Sequence, residues 1–388
     1  MNMDFKKKIE SIPPYTEEET MEAIKKLSNR PEVFFISKYL FPDEPIDTLR
    51  KKLKCIKNAG EDQCTVMFDA VEWIIRNTMD EFTYDGVENL KAIGNSFLAM
   101  SNHRDIVLDP ALTQYVLLTN SLPMTDIAIG DNLLRNKSVE YLLRCNRMIK
   151  VIRGISAKEL YLSSQALSKY IRETVTSGKA SVWIAQRQGR TKNGIDITEK
   201  GLLKMLDMSG EKSFVENFSE LNIVPLSISY EYEPCDVRKA RELLISASRP
   251  YVKKRNEDMH SILMGMKQQK GHVHLHIGQK LNAGEIESAS VCANKNDRYQ
   301  WIRNVVDRRI IGGYRLWPTN YIAFDLLNGT TAYSDHYLTA DVEAFKAYME
   351  HRLDKVEKSL DRNDLRHIFL SIYAGPVQSR EKLYNELI

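Results

Sequence analysis

The sequence predicts an α/β protein: a mixed central sheet flanked by helices, with a helical N-terminal extension and a helical C-terminal region. Three observations carry this. From about Asn95 onward, short apolar runs alternate with segments of helical periodicity, the pattern of layered α/β architecture. The first ninety or so residues and the tail after Ala340 show helical patterning. The 388 residues are 43% hydrophobic and 28% charged, enough apolar material for a large core and too much for a disordered chain. The expected division is 1–90 (helical), 91–330 (α/β) and 331–388 (helical).

Thr16 with Glu19 three residues later has capping-box spacing and opens an early helix. Asp47 to Lys57 places Leu49, Leu53 and Ile56 on one face among five cations. Candidate strands are Ser96–Asn102, Met148–Ile152, Ser181–Gln186, Ile223–Ser229 and His272–Ile277, each bounded by turn or charge signals. Between them, Ser156 and Glu159 cap a helix running to Gly178, and Gly201–Met208 forms a short one. Pro250 should interrupt the helical stretch from Asp236 to Lys270, and Gly375-Pro376 should break the tail.

Lys and Arg total 55 against 52 Asp and Glu, a net charge of +3 that gives no reason to expect a nucleic-acid partner. No apolar run reaches the roughly 20 residues of a membrane span. The opening MNMDFKKKIESIPPY has no apolar core, so no secretory signal is expected. The cysteines (Cys55, Cys64, Cys145, Cys235, Cys292) are scattered and form no CxxC pair, as expected for reduced thiols in the cytoplasm.

The densest chemical signal is Ser101-Asn102-His103-Arg104-Asp105-Ile106-Val107-Leu108-Asp109-Pro110. An apolar strand ends in Asn-His, and Asp109-Pro110 has the form of an N-cap followed by the first helical residue. A histidine at a strand end with a carboxylate a turn away suits a general base. A second signal is Trp183 to Gly194, a strand entering a loop with Arg187, Gln188, Gly189 and Arg190; arginine forks match phosphate, and glycine allows close backbone approach. A third is the apolar strand around Val224-Pro225, where a proline is tolerated at a strand start or edge.

These blocks, in this order, resemble the glycerolipid acyltransferase superfamily, which includes glycerol-3-phosphate and 1-acylglycerol-3-phosphate acyltransferases. The resemblance covers roughly Asn95 to Leu281. Asn102-His103 matches its first block. Leu108-Asp109-Pro110 matches a common continuation, although five residues separate His103 from Asp109 where the family has four, leaving Asp105 as the other candidate partner. Met148–Arg153 matches the second block, with Arg153 as phosphate ligand. Gln188-Gly189 and Arg190 stand where the family has a Glu-Gly-x-Arg loop, with glutamine in place of glutamate. Val224-Pro225 matches the fourth. The resemblance implies an acyltransferase-like fold and O-acyl transfer in phospholipid biosynthesis. The donor would be acyl-CoA or acyl-carrier protein, the acceptor glycerol phosphate or a lysophospholipid, with His103 as base and Arg153, Arg187, Gln188, Gly189 and Arg190 binding substrate. No metal or further cofactor is implied.

Alternation puts His272, His274 and His276 on one strand face, so a metal-dependent hydrolase is an alternative; spacing of roughly 7 Å between successive residues is wide for one ion. A non-catalytic lipid- or carrier-binding protein on the same fold is another. An enzyme acting on lipids without a spanning helix should touch the bilayer, so peripheral membrane association is expected. The basic 49–57 helix suits anionic lipid, and Tyr314, Trp317 and Tyr321 beside Arg315 suit either an interface or a core.

Overall fold

A computed structural model of the 388-residue chain describes residues 3–58, 66–254 and 257–385. Seven strands, β1 (Glu81–Asp85), β2 (Leu98–Ser101), β3 (Asp126–Gly130), β4 (Met148–Val151), β5 (Val182–Ala185), β6 (Ile223–Tyr230) and β7 (His272–Ile277), form one sheet in the order β1-β7-β6-β2-β5-β3-β4. Helices flank it. The pairs β6/β2, β2/β5, β5/β3 and β3/β4 are parallel, with Leu98 opposite both Val182 and Ile223. β7 runs antiparallel to β6, and β1 is parallel to β7, so the sheet is mixed.

Inner strands buried on both faces carry apolar residues almost continuously, and β6 is buried along its whole length. Ala99, Trp183, Val224 and Leu226 join a core with the N-terminal helices, while Leu98, Met100, Val182, Ile184 and Ile223 join a second core on the other face. A third core lies among the C-terminal helices, around Phe345, Leu365 and Phe369.

Several expectations are corrected. The 1–90 stretch contains strand β1, an edge strand whose Phe82 and Tyr84 favour extended backbone. β3 was not foreseen, because Asp126 at its start and Gly130 at its end leave only Ile127-Ala128-Ile129 as an apolar run. Of the two placements open for Tyr314 and Trp317, interface or core, the structure gives the core: they are 5% and 8% exposed. Pro225 occupies the third position of an inner strand rather than an edge. The tail does not break: helix Arg362–Asn385 continues through Pro376. Proline has no N–H to give the carbonyl four residues back, here Ile372. Gly194 lies against that carbonyl, since a β-carbon on Gly194 would meet Ile372 O at 2.1 Å and one on Gly375 would meet the Gly194 carbonyl carbon at 2.7 Å. Cys64 lies outside the described residues. Among those described, no helix is long and apolar enough to cross a membrane.

Candidate active site

In a parallel sheet, ligands collect outside the carboxyl ends of the strands. Four of this sheet's strands each deliver one polar side chain two residues beyond their end: His103 after β2, Asn132 after β3, Arg153 after β4 and Arg187 after β5. All four line one cleft of about 310 Å³, together with Gln188, Gly189 and Arg190. The sequence-read site residues therefore converge, apart from the two aspartates, which do not line the cleft; Asp109 reaches the histidine from behind it.

His103 Nδ1 is 2.9 Å from Asp109 Oδ2. Asp109 is fully buried, and its oxygens also accept from the backbone N–H of Arg104 at 2.6 Å and Asp105 at 2.9 Å, and from the Tyr230 hydroxyl at 2.8 Å. With Asp109 accepting at Nδ1, that nitrogen carries the proton and Nε2 is left as the basic site. The His103 side chain is 14% exposed, and Nε2 has no hydrogen-bond partner among the described residues. Burial, then the Asp109 charge, raise Tyr230 well above the usual phenol range, so it stays a donor.

Asp109 is not the helix cap that its Pro neighbour suggested. The helix begins at Leu108 after Val107 as N-cap, and Asp105 accepts from Val107 N–H and Leu108 N–H at 2.9 Å each. No hydrogen bond joins Asp105 to His103. The five residues between His103 and Asp109 form this turn, which curls back until Asp109 Oδ2 meets His103 Nδ1.

The arginine loop is fastened to the same turn. Thr191 N–H donates to His103 O at 2.7 Å. Asp196, fully buried, accepts from Asn102 Nδ2 at 2.9 Å, Arg104 Nη2 at 2.8 Å, Thr191 Oγ1 at 2.5 Å and Tyr314 OH at 2.6 Å. Burial opposes its charge, but Arg104 and the neutral donors outweigh that and hold its carboxyl below the usual range. Asn102 also exchanges hydrogen bonds with the backbone of Ile228, tying β2 to β6. Asp196 and Tyr230 do not stand out in the sequence, and Tyr314 reads only as an interface or core aromatic, because, Thr191 apart, their partners in this network are 92 to 121 residues away.

Arg153, Arg187 and Arg190 make no ion pair within 4 Å among the described residues. Burial lowers the Arg153 pKa, whereas for Arg190 the nearby Cys235 and Asp105 outweigh burial and raise it. The other charged groups of the cleft are spoken for: Lys192 pairs with Glu242, and Asp258 with Lys253. Four buried side-chain atoms lining this cleft lack any partner: Arg187 Nε, Arg190 Nη1, Trp183 Nε1 and Asn132 Oδ1. Native interiors leave few such atoms, so three orphan donors in one cleft describe a seat for a ligand with acceptor oxygens. Gly189 has φ +74°, a conformation costly for other residues. Gly130 gives room: a β-carbon there would sit 2.8 Å from Arg153 Cζ.

A narrow apolar groove of about 80 Å³, lined by Phe68, Val71, Ala111, Tyr115 and Leu118, opens from the cleft through Pro110, Ile127 and Met148.

The β7 histidines do not converge on one point. His272 Nδ1 bonds Glu231 Oε2 at 2.6 Å, His276 Nδ1 bonds Asp85 Oδ1 at 2.5 Å, and His274 lies between Thr83 and Asp85. The group with metal-like spacing is instead Asp80, Glu231 and His272, with Asp80 exposed. Comparison of the sequence with protein-family models and with curated proteins gave no match, so the geometry described above is what bears on function.

Proposed function

We propose that the chain is an acyltransferase, moving a fatty acyl group from a thioester to a hydroxyl of a glycerol-phosphate-type acceptor in phospholipid biosynthesis. One observation carries this reading: a histidine whose Nδ1 is held by a buried aspartate shares its cleft with three arginines that have no carboxylate partner. The apolar groove beside it suits a fatty chain. The order of the Asn102-His103, Arg153, Gly189-Arg190 and Val224-Pro225 blocks supports the same chemistry.

In this mechanism His103 Nε2 takes the proton of the acceptor hydroxyl, and the oxygen attacks the thioester carbonyl. Asp109 is a positioning residue, fixing the tautomer and stabilising the imidazolium. The tetrahedral intermediate collapses, the C–S bond breaks, and the imidazolium returns the proton to the departing sulfur. Arg153, Arg187 and Arg190 hold the acceptor phosphate. The donor is acyl-CoA or acyl-carrier protein, and no other cofactor is needed. We place the protein in the cytoplasm, resting on a membrane surface. Phe35 and Ile46, 71% and 58% exposed on the N-terminal helical segment that also carries Arg50, Lys51, Lys52 and Lys54, support that contact.

Purified protein given acyl-CoA or acyl-carrier protein with glycerol 3-phosphate or its 1-acyl derivative should release free thiol and form the acylated lipid. His103→Ala should lower that rate by about 10²–10⁴-fold, the usual contribution of a general base. Unchanged thiol release in the variant would remove His103 from the chemistry.

A further inference from the structure

The cleft stands over the ends of β2, β5, β3 and β4. The other half of this end of the sheet, over β6, β7 and β1, carries a different set of side chains. β6 is parallel to β2, so its end lies beside the end of β2. β7 runs antiparallel to β6 and β1 is parallel to β7, so both of these strands start at the same corner. The corner residues are Glu231, just after β6, His272, the first of β7, and Asp80, just before β1. An oxygen from each carboxylate and a ring nitrogen all lie within 4.8 Å of one another.

Main-chain bonds fasten this corner. Asp80 N–H donates to Gly271 O at 2.8 Å, and Glu231 N–H donates to His272 O at 2.9 Å. His272 N–H donates to Glu231 Oε2 at 2.8 Å, and His272 Nδ1 lies 2.6 Å from the same oxygen. The imidazole stacks on the buried Trp317, with 6.5 Å between ring centroids. The charges do not balance. Among the described residues no lysine or arginine pairs with Glu231 or Asp80 within 4 Å: Glu231 has only His272, and the Asp80 carboxylate has no hydrogen-bond or ion-pair partner. Tyr232 sits in the same field: burial, then the charges of Glu231, Asp80 and Asp341, raise its hydroxyl above the usual phenol range.

We propose that Asp80, Glu231 and His272 form a site for one divalent transition-metal ion of the Zn²⁺ class, which clips the edge strand β1 to β6 and β7. An imidazole ligand favours such ions over Mg²⁺ and Ca²⁺, which prefer oxygen alone. Ligands about 2.1 Å from a tetrahedral ion stand roughly 3.3 Å from one another. The present separations bracket that figure, from 2.6 Å between His272 and Glu231 to no more than 4.8 Å across the group. Closure needs the His272–Glu231 pair to open by a fraction of an ångström and the Asp80 carboxylate to swing inward. Asp80 is exposed and has no bond to give up. The ion takes the place of the proton between Nδ1 and Oε2, which leaves to solvent, and the open side of the corner leaves a position for water.

Untagged full-length protein, freed of metal with a chelator, is titrated calorimetrically with ZnCl₂, with MgCl₂ as the control. One Zn²⁺ should bind per chain with micromolar or tighter affinity, and Mg²⁺ at least about hundredfold more weakly. Asp80→Asn and His272→Gln should each weaken Zn²⁺ binding about tenfold or more. Asp85→Asn, at the neighbouring histidine pair, and Cys55→Ser, which removes an exposed thiol, should leave it within about twofold. Zn²⁺ at about 100 times Kd should raise the melting temperature by about 3 °C. Asp80→Asn, at an exposed position that tolerates the change, should abolish that rise. Absence of saturable Zn²⁺ binding, binding unchanged in Asp80→Asn, or binding lost in Asp85→Asn or Cys55→Ser would overturn the site. The test does not involve His103, so its outcome is independent of the acyl-transfer reading.

Discussion

The sheet carries two sets of histidines paired with carboxylates, and they are built differently. At the end of β2, His103 leans on Asp109, which is fully buried and receives four donors. On β7, His274 and His276 share Asp85, whose side chain is 57% exposed on an edge strand. A carboxylate whose oxygens are all engaged cannot rotate away, so the first imidazole has one orientation and a free nitrogen facing a cleft with unpaired arginines. Asp85 is solvated and divided between two rings, and Arg315 beside them donates to Thr83 while its charge opposes protonation of His274. Proximity of histidine to carboxylate is common to both; a fixed ring with somewhere for a substrate to sit belongs to one.

The sharpest way to break this contrast is Asp109→Asn. It keeps the shape and offers an amide where a carboxylate stood, favouring the wrong tautomer; kcat should fall by about 10²–10⁴-fold, as in other histidine–aspartate pairs. Steady-state thiol release with saturating acceptor reads it, and a loss below about tenfold would mean that Asp109 does not govern the ring. Tyr230→Phe removes one donor to Asp109 Oδ1. A buried hydrogen bond to a charged group is worth roughly 1.5–3 kcal/mol, part of which reaches the imidazole, so kcat should drop by about tenfold while KM values hold.

At the other site the expected effects are on stability. Burial, reinforced by Arg315, lowers the His274 pKa against the pull of Asp85. The unfolded chain therefore binds this proton more readily, and stability is lost as pH falls through the ordinary histidine value of about 6.5. Melting curves at pH 7.5 and 5.5 should differ more for wild type than for His274→Gln; parallel curves would refute the assignment. Smallest of all, Asp85→Asn should leave acyl transfer within about twofold, because Asp85 is remote from the cleft; an activity loss like that of Asp109→Asn would erase the distinction between the two sites.

What could be read from the sequence follows contact distance along the chain. His103 and Asp109 were legible because strand end, turn and helix start fall within one short segment. Arg187 and Arg190 were legible because a glycine-containing basic loop follows an apolar strand, and Arg153 because the resemblance pointed to it. Which aspartate serves the ring was not, since Asp105 and Asp109 differ only in how the turn closes, and the closing donors include Tyr230 from another strand. Asp196 was invisible for the same reason: an aspartate among glycine and polar residues gives no hint that Arg104 and Tyr314 will meet it. The inner strands were legible as apolar runs, except β3, which begins with a charge and ends in glycine. Pro376 misled because a local rule for helix breaking omits Gly194, which packs against the carbonyl that proline leaves without a donor.

That last contact has a temporal side. During synthesis the arginine loop leaves the ribosome long before the helix that bears Ile372 and Gly375, and early segments fold first. Nascent chains would thus carry His103 and Asp109 for some time before the loop that ends at Gly194 gains its final backing, which comes with the distal helix.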